Sequence, residues 1–212
     1  TPDVLTDATA EITILLMLMV SRRALEGEKE IRQDLWPGWH PTHLMGSLMN
    51  GKTIGIIGMG RIGQEVARKA FHAFKMGIVF YNRSIIKKDL GIPIKQVSSV
   101  LDVCRESDFV SIHCPGGKET LNILNAEAIA NLKKSSFIVN TARGDVLDED
   151  AVSHALSKGL ITGVVALAAS DLPIATTSAV GGVSVGAGLA ITGAGALSLS
   201  LIHISEPTRR YP

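Results

Sequence analysis

Gly51-Lys52-Thr53-Ile54-Gly55-Ile56-Ile57-Gly58-Met59-Gly60-Arg61-Ile62-Gly63 is the stretch that decides the fold. Residues 53–57 read as a buried strand, and residues 61–75 as a helix. The glycines between them match GxGxxG, a weak signal alone because glycines cluster in many loops. Between a strand and a helix each has a task. Gly58 permits the tight turn, Gly60 lets backbone approach a pyrophosphate, and Gly63 allows close helix–strand packing. The helix N-terminus supplies N–H groups and a positive dipole end for phosphates. The bland alternative is a glycine-rich turn that binds nothing.

Downstream, short apolar runs alternate with helical stretches. Strands are expected over residues 78–81, 92–94, 109–113, 137–140 and 161–165, and helices over 99–106, 125–132 and 148–157. The runs are continuous rather than alternating, as in a parallel sheet covered on both faces. The expected fold class is α/β, a doubly wound parallel sheet of Rossmann type. Upstream, residues 6–34 predict one long helix, with Thr6 as N-cap and Asp7 and Glu11 near its positive end. Two prolines and a glycine break it at Trp36-Pro37-Gly38-Trp39-His40-Pro41. The two tryptophans either anchor an interface or close over the helix end. Three regions follow: 1–49 as helix and loop, 50–165 as the dinucleotide-binding domain, and 166–212 as a tail.

The chain is 46% hydrophobic and 19% charged with net charge +1, which suits a packed core and gives no basic footprint for nucleic acid. Cys104 and Cys114 have no metal-ligand spacing, so no metal is expected, and two buried thiols in a reducing cytoplasm fit them best. No basic-then-apolar leader follows Thr1. Residues 12–20 are apolar but about half the roughly 20 residues a membrane span needs. Between Lys158 and Glu206 the only charged residue is Asp171, and Gly, Ala, Ser and Thr dominate. Residues 180–202 are long enough for a span, with small residues at Gly182 and Gly186, but they are weakly lipophilic and lack close basic flanks. They run into residues 199–209 (LSLIHISEPTR), which look like a translated sequencing adapter. A poorly packed, non-native tail is therefore expected, and no membrane partner.

The strand ends carry the chemistry. After the second strand come Asn82, Arg83 and Ser84, with Lys87 and Lys88 nearby, where NAD-binding proteins usually place an acid for the ribose. A guanidinium can grip a 2′-phosphate that a carboxylate would repel, which favours NADP with NAD still possible. A solvated basic loop beside an NAD site is the alternative. Thr141-Ala142-Arg143-Gly144 follows residues 137–140 at the ligand-binding edge, where Arg143 could hold a substrate carboxylate and polarise its carbonyl. His113-Cys114-Pro115 ends another strand. Cys114 has no base beside it and reads as a packing residue, and His154 reads as a surface residue.

Together these residues resemble the D-isomer-specific 2-hydroxyacid dehydrogenases. The likeness is carried by Thr6-Asp7-Ala8-Thr9-Ala10-Glu11, by residues 51–63, by His113-Cys114-Pro115 with Thr120, and by Asn140-Thr141-Ala142-Arg143-Gly144. Tyr81-Asn82-Arg83-Ser84 is similar to the glyoxylate and hydroxypyruvate reductases. The resemblance implies hydride transfer between NAD(P)H and a small 2-oxo or 2-hydroxy acid, with Arg143 binding the carboxylate. It carries cofactor contacts to Thr9, Gly58, Gly60, Arg61, Ile62, Gly63, Asn82, Arg83, Ser84, Cys114, Pro115, Thr120, Thr141 and Ala142. It also implies a homodimer, with the first helix and the tryptophan loop as the dimerisation arm. The departures are a missing first substrate-domain segment and, after Gly163, no Glu-Pro pair and no Pro-His-x-Gly. A frameshift or join near Val165 is the simplest explanation, and the chain as written is expected to lack the catalytic acid. A nucleotide-sensing corepressor on the same fold is the second reading.

Overall fold

The decisive strand forms where its sequence puts it. In the computed structural model, which describes residues 5–166, β1 (Thr53–Ile57) leads through the glycine turn into α3 (Arg61–Phe74). Upstream lie α1 (Thr6–Ser21) and α2 (Ala24–Arg32). Downstream follow β2 (Gly77–Tyr81), β3 (Lys95–Gln96), α4 (Val100–Glu106), β4 (Phe109–Ile112), α5 (Ala126–Ala130), β5 (Phe137–Asn140), a 3-10 turn (Gly144–Val146), α6 (Glu149–Ser157) and β6 (Gly163–Ala166). The strands form one parallel sheet in the order β3-β2-β1-β4-β5-β6. The order reverses between β1 and β4, the switch point at which doubly wound sheets bind ligands.

Strand residues alternate between two cores. Ile54, Ile56, Phe80, Phe109, Phe137, Val139 and Val165 pack on one face with α1 and α3. Ile57, Val110, Ile112, Ile138 and Val164 pack on the other with α4, α5 and α6. Both faces are covered, which is why the strands read as unbroken apolar runs. Gly55 is required by this packing, since a β-carbon there would lie 2.1 Å from Ser107 Oγ and 2.5 Å from Val103 Cγ1 on α4.

Three expectations need correction. The first helix is two helices, because Ser21 O leaves the helical ladder to accept from Ser47 N at 2.7 Å. Arg23 then turns left-handed at φ 55° and chelates Glu26 through Nε and Nη2 at 2.9 and 2.6 Å. Thr6 is not the N-cap. Leu5 holds that position without a side-chain bond, and Thr6 is already helical. The third strand starts at Lys95, not at residue 92, because Pro93 has no N–H for a ladder. Ile92 instead buries its side chain beside β2. Helices α4, α5 and α6 begin one residue later than their caps, and Ser99, Asn125 and Asp148 accept from the N–H of Asp102, Ala128 and Ala151. The expectations about residues 166–212 fall, beyond Ala166, outside the described residues. Among the described residues, no helix is long and apolar enough to cross a membrane.

Candidate functional site

Parallel pairing brings four loops to one edge: those after β1, β2, β4 and β5. The turn after β1 is held tightly. Gly58 donates to Tyr81 O at 2.9 Å, at φ +96°, and a β-carbon there would lie 2.7 Å from Cys114 N. Gly63 lies so close to Gly58 O that a β-carbon would meet it at 2.3 Å. Gly60 differs, because a β-carbon there would meet nothing within 4 Å. Open space thus faces the N-terminus of the 14-residue α3, which has no acid in its first turn and no side-chain cap. This suits a pyrophosphate, which would meet the positive dipole end of a helix and room for its oxygens. Arg61 is exposed there, and Ile62 packs inward against the core.

After β2, the Asn82 side chain is fully engaged by its neighbours. Its Oδ1 accepts from Met59 N at 3.2 Å, and its Nδ2 donates to Ser84 O and Oγ at 3.1 Å. Asn82 therefore ties the second loop to the glycine turn. Arg83 and Ser84 are exposed beside it. The loop after β4 is closed by Thr120 Oγ1 donating to Pro115 O at 2.6 Å. Asp145 braces it from the next loop, accepting from Gly117 N at 2.9 Å through Oδ2 and from Asn122 N at 2.8 Å through its carbonyl.

After β5, Asn140 is fully buried and shapes the turn, accepting from Ala142 N at 3.0 Å and donating to Arg143 O at 2.7 Å. Arg143 is exposed, with Nη1 on Ala142 O at 2.8 Å. Its stem lies against Gly116, so the β4 and β5 loops meet at this arginine. Thr141 Oγ1 is 3.0 Å from Thr13 Oγ1, and Thr13 donates to Thr9 O at 2.8 Å. A hydroxyl bridge thus brings α1, and Thr9 on it, to the same edge. Gly58, Arg83, Cys114, Thr120, Thr141 and Arg143 thus lie on the four loops at this edge, and Thr9 on the helix tied to it. Sequence reading missed the bracing roles of Thr13, Asp145 and Asn140. An asparagine ending a strand two residues before a bend was a usable sign of such a turn.

Burial pushes the Cys104 thiol up to about 12, and burial, helped by the charge of Asp145, raises that of Cys114. Both are free thiols and neither is activated as a nucleophile. His113 folds back along the sheet to bond Ser111 Oγ at 2.8 Å through Nε2, and desolvation lowers it to about 4. It is neutral near pH 7. Among the described residues, no group of three or more His, Cys, Asp or Glu side chains could hold a metal ion.

The profile of the D-isomer specific 2-hydroxyacid dehydrogenase NAD binding domain matches residues 14–176. This chain belongs to that family. Among family members it is 40% identical over 170 residues to a glyoxylate reductase of Pyrococcus horikoshii, covering 77% of this chain and 50% of that protein. It is 44% identical over 170 residues to the glyoxylate reductase of Thermococcus kodakarensis, with the same coverage. In structure it is similar to an NADPH-dependent glyoxylate/hydroxypyruvate reductase of Sinorhizobium meliloti in complex with NADP and malonate. That match has TM-score 0.76 and 29% identity, covering 86% of this chain and 57% of that one. A glyoxylate reductase of Paecilomyes thermophila gives TM-score 0.73 and 36% identity over 81% of this chain and 51% of its own. The dehydrogenase-family chain described here thus spans about half the length of the curated relatives it matches. Its domain is one that binds a nicotinamide dinucleotide.

Proposed function

We propose that this chain is the cofactor-binding part of an NADP-preferring reductase of small 2-oxoacids, glyoxylate or hydroxypyruvate. The carrying observation is the open α3 N-terminus at Gly60 beside a second strand end that bears Arg83 and no acid. The names of the relatives support the substrate class, and the NADP-bound neighbour supports the phosphate preference. The α3 N–H groups and Arg61 hold the pyrophosphate. Arg83 and Ser84 take the 2′-phosphate, while Asn82 keeps the glycine turn in register. Thr9, Cys114, Pro115, Thr120, Thr141 and Ala142 line the rest of the dinucleotide. The nicotinamide, when bound, supplies hydride to the substrate carbonyl carbon. Arg143 orients the carboxylate and favours the negative charge that grows on the carbonyl oxygen.

The proton for that oxygen has no donor among these residues. After Arg143 the glutamates are Glu149 and Glu206, and the histidines His154 and His203. Glu149 and the exposed His154 belong to α6, and His113 is neutral and bonded to Ser111. We read the chain as written as inactive for this reason. We also assign the intact enzyme to the cytoplasm as a homodimer. Trp36 and Trp39, 57% and 79% exposed, belong to the arm in residues 1–49 that reaches the partner.

Fluorescence titration of the purified chain with NADPH and NADH tests the cofactor reading. Arg83→Asp should weaken NADPH by about tenfold or more, the worth of one charged hydrogen bond, with far less effect on NADH. Equal losses for both would end the claim that Arg83 reads the phosphate.

A further inference from the structure

Arg83 has a partner within the chain. Its Nη1 pairs with Oε2 of Glu119, and the two side chains are 80% and 76% exposed. Arg83 follows β2 and Glu119 lies in the loop after β4, and those strands flank β1 on either side. The ion pair therefore joins the loops on either side of the carboxyl end of β1, where strand order reverses. A dinucleotide laid across that edge passes this pair. Both loops are anchored. Asn82 fixes the first to Met59 N, and Thr120 and Asp145 fix the second through Pro115 O and Gly117 N.

We infer that Glu119 is a specificity-determining residue: its carboxylate competes with the adenosine 2′-phosphate for Arg83, so the Arg83–Glu119 pair acts as a strap that NADP must open and NAD need not. The inference rests on the proposal that Arg83 takes the 2′-phosphate. A phosphate offers the guanidinium more charge and more acceptor oxygens than a carboxylate, and an exposed ion pair is weak, so the exchange runs forward. The strap lowers NADP preference below what Arg83 alone would give. The competing term is that of an exposed pair, about two- to fivefold in affinity.

The test is a double-mutant cycle on the full 212-residue chain, read by NADPH and NADH fluorescence, with circular dichroism as the check on folding. Glu119→Gln keeps the shape of the side chain and removes its charge. It should tighten NADPH about two- to fivefold, leave NADH within about 1.5-fold, and have no such effect in the Arg83→Ala background. A gain that is absent, equal for NADH, or undiminished without Arg83 overturns the strap. So does a loss of NADH affinity, which would make Glu119 a ribose ligand instead. In those cases selective NADPH loss in Arg83→Ala still upholds the phosphate reading. Equal losses of both nucleotides in Arg83→Ala, or no saturable binding in any of the four chains, overturn both.

Discussion

Replacing Gly60 by alanine separates a glycine kept for a ligand from glycines kept for the fold. A methyl at Gly60 meets nothing within 4 Å, and φ −75° with ψ −166° is extended backbone that alanine adopts freely. Stiffening the unfolded chain stabilises by about 0.4–1 kcal/mol. Losing glycine at the N-cap costs a similar amount, roughly 0.5–1 kcal/mol. The two offset, so the melting temperature should move by less than about 4 °C. Gly63→Ala contrasts with this, because its methyl would sit 2.3 Å from Gly58 O and 3.2 Å from Ile56 Cγ2. Backbone cannot yield as a side chain can, so the cost should approach about 3 kcal/mol. That is a fall of roughly 6–12 °C. Gly58→Ala should cost about 1–2 kcal/mol more, since its φ of +96° is strained for any side chain. The Gly60 methyl would nevertheless stand in the open space before α3, where phosphate oxygens approach. Losing one charged hydrogen bond there should cost at least about tenfold in NADPH affinity. Thermal unfolding by circular dichroism and NADPH titration, run on the same samples, give both readouts. Wild-type nucleotide binding by Gly60→Ala, or unfolding as severe as in Gly63→Ala, would refute the reasoning.

Two further outcomes follow from the site. His113 is lowered to about 4 by desolvation, below its unfolded value, so neutral His113 contributes stability above about pH 6.5 that is lost as pH falls toward 4. The upper bound is about 3 kcal/mol, less because the residue as a whole is only half-buried, and His113→Asn should flatten the urea-unfolding midpoint over that window; an unchanged pH profile would refute the assignment. On the proposed reading that no proton donor stands beside Arg143, the purified 212-residue chain should oxidise NADPH with glyoxylate or hydroxypyruvate at least about 10²–10⁴-fold more slowly than a complete reductase, and comparable turnover would refute that reading.

Much of this was legible because local chemistry and tertiary demand agree. In residues 51–63 the β-branched run, the glycine spacing and the helix start all point one way, and β1 spans the expected residues. The capping side chains Ser99, Asn125 and Asp148 stood at the heads of their expected helices for the same reason. What escaped was set by distant chain. The break after Ser21 depends on Ser47 N, which no window around the helix contains. Nothing local marks Asp145 or Glu119, and only the approach of loops after different strands gives them Gly117 N and Arg83 as partners.

The Thr13–Thr141 hydroxyl bridge joins residues 128 apart in sequence, and it bears on how the chain is made. Helix α1 is synthesised before the strands it packs on, β5 and β6, which are the last described strands made. At about 5–20 residues per second the wait is roughly 6–25 s. During it the apolar face of Ala10, Leu16, Met17 and Val20 lacks its β5 and β6 neighbours, although α3 is already made. Completion of the sheet, rather than formation of the glycine turn, is the event that covers it fully.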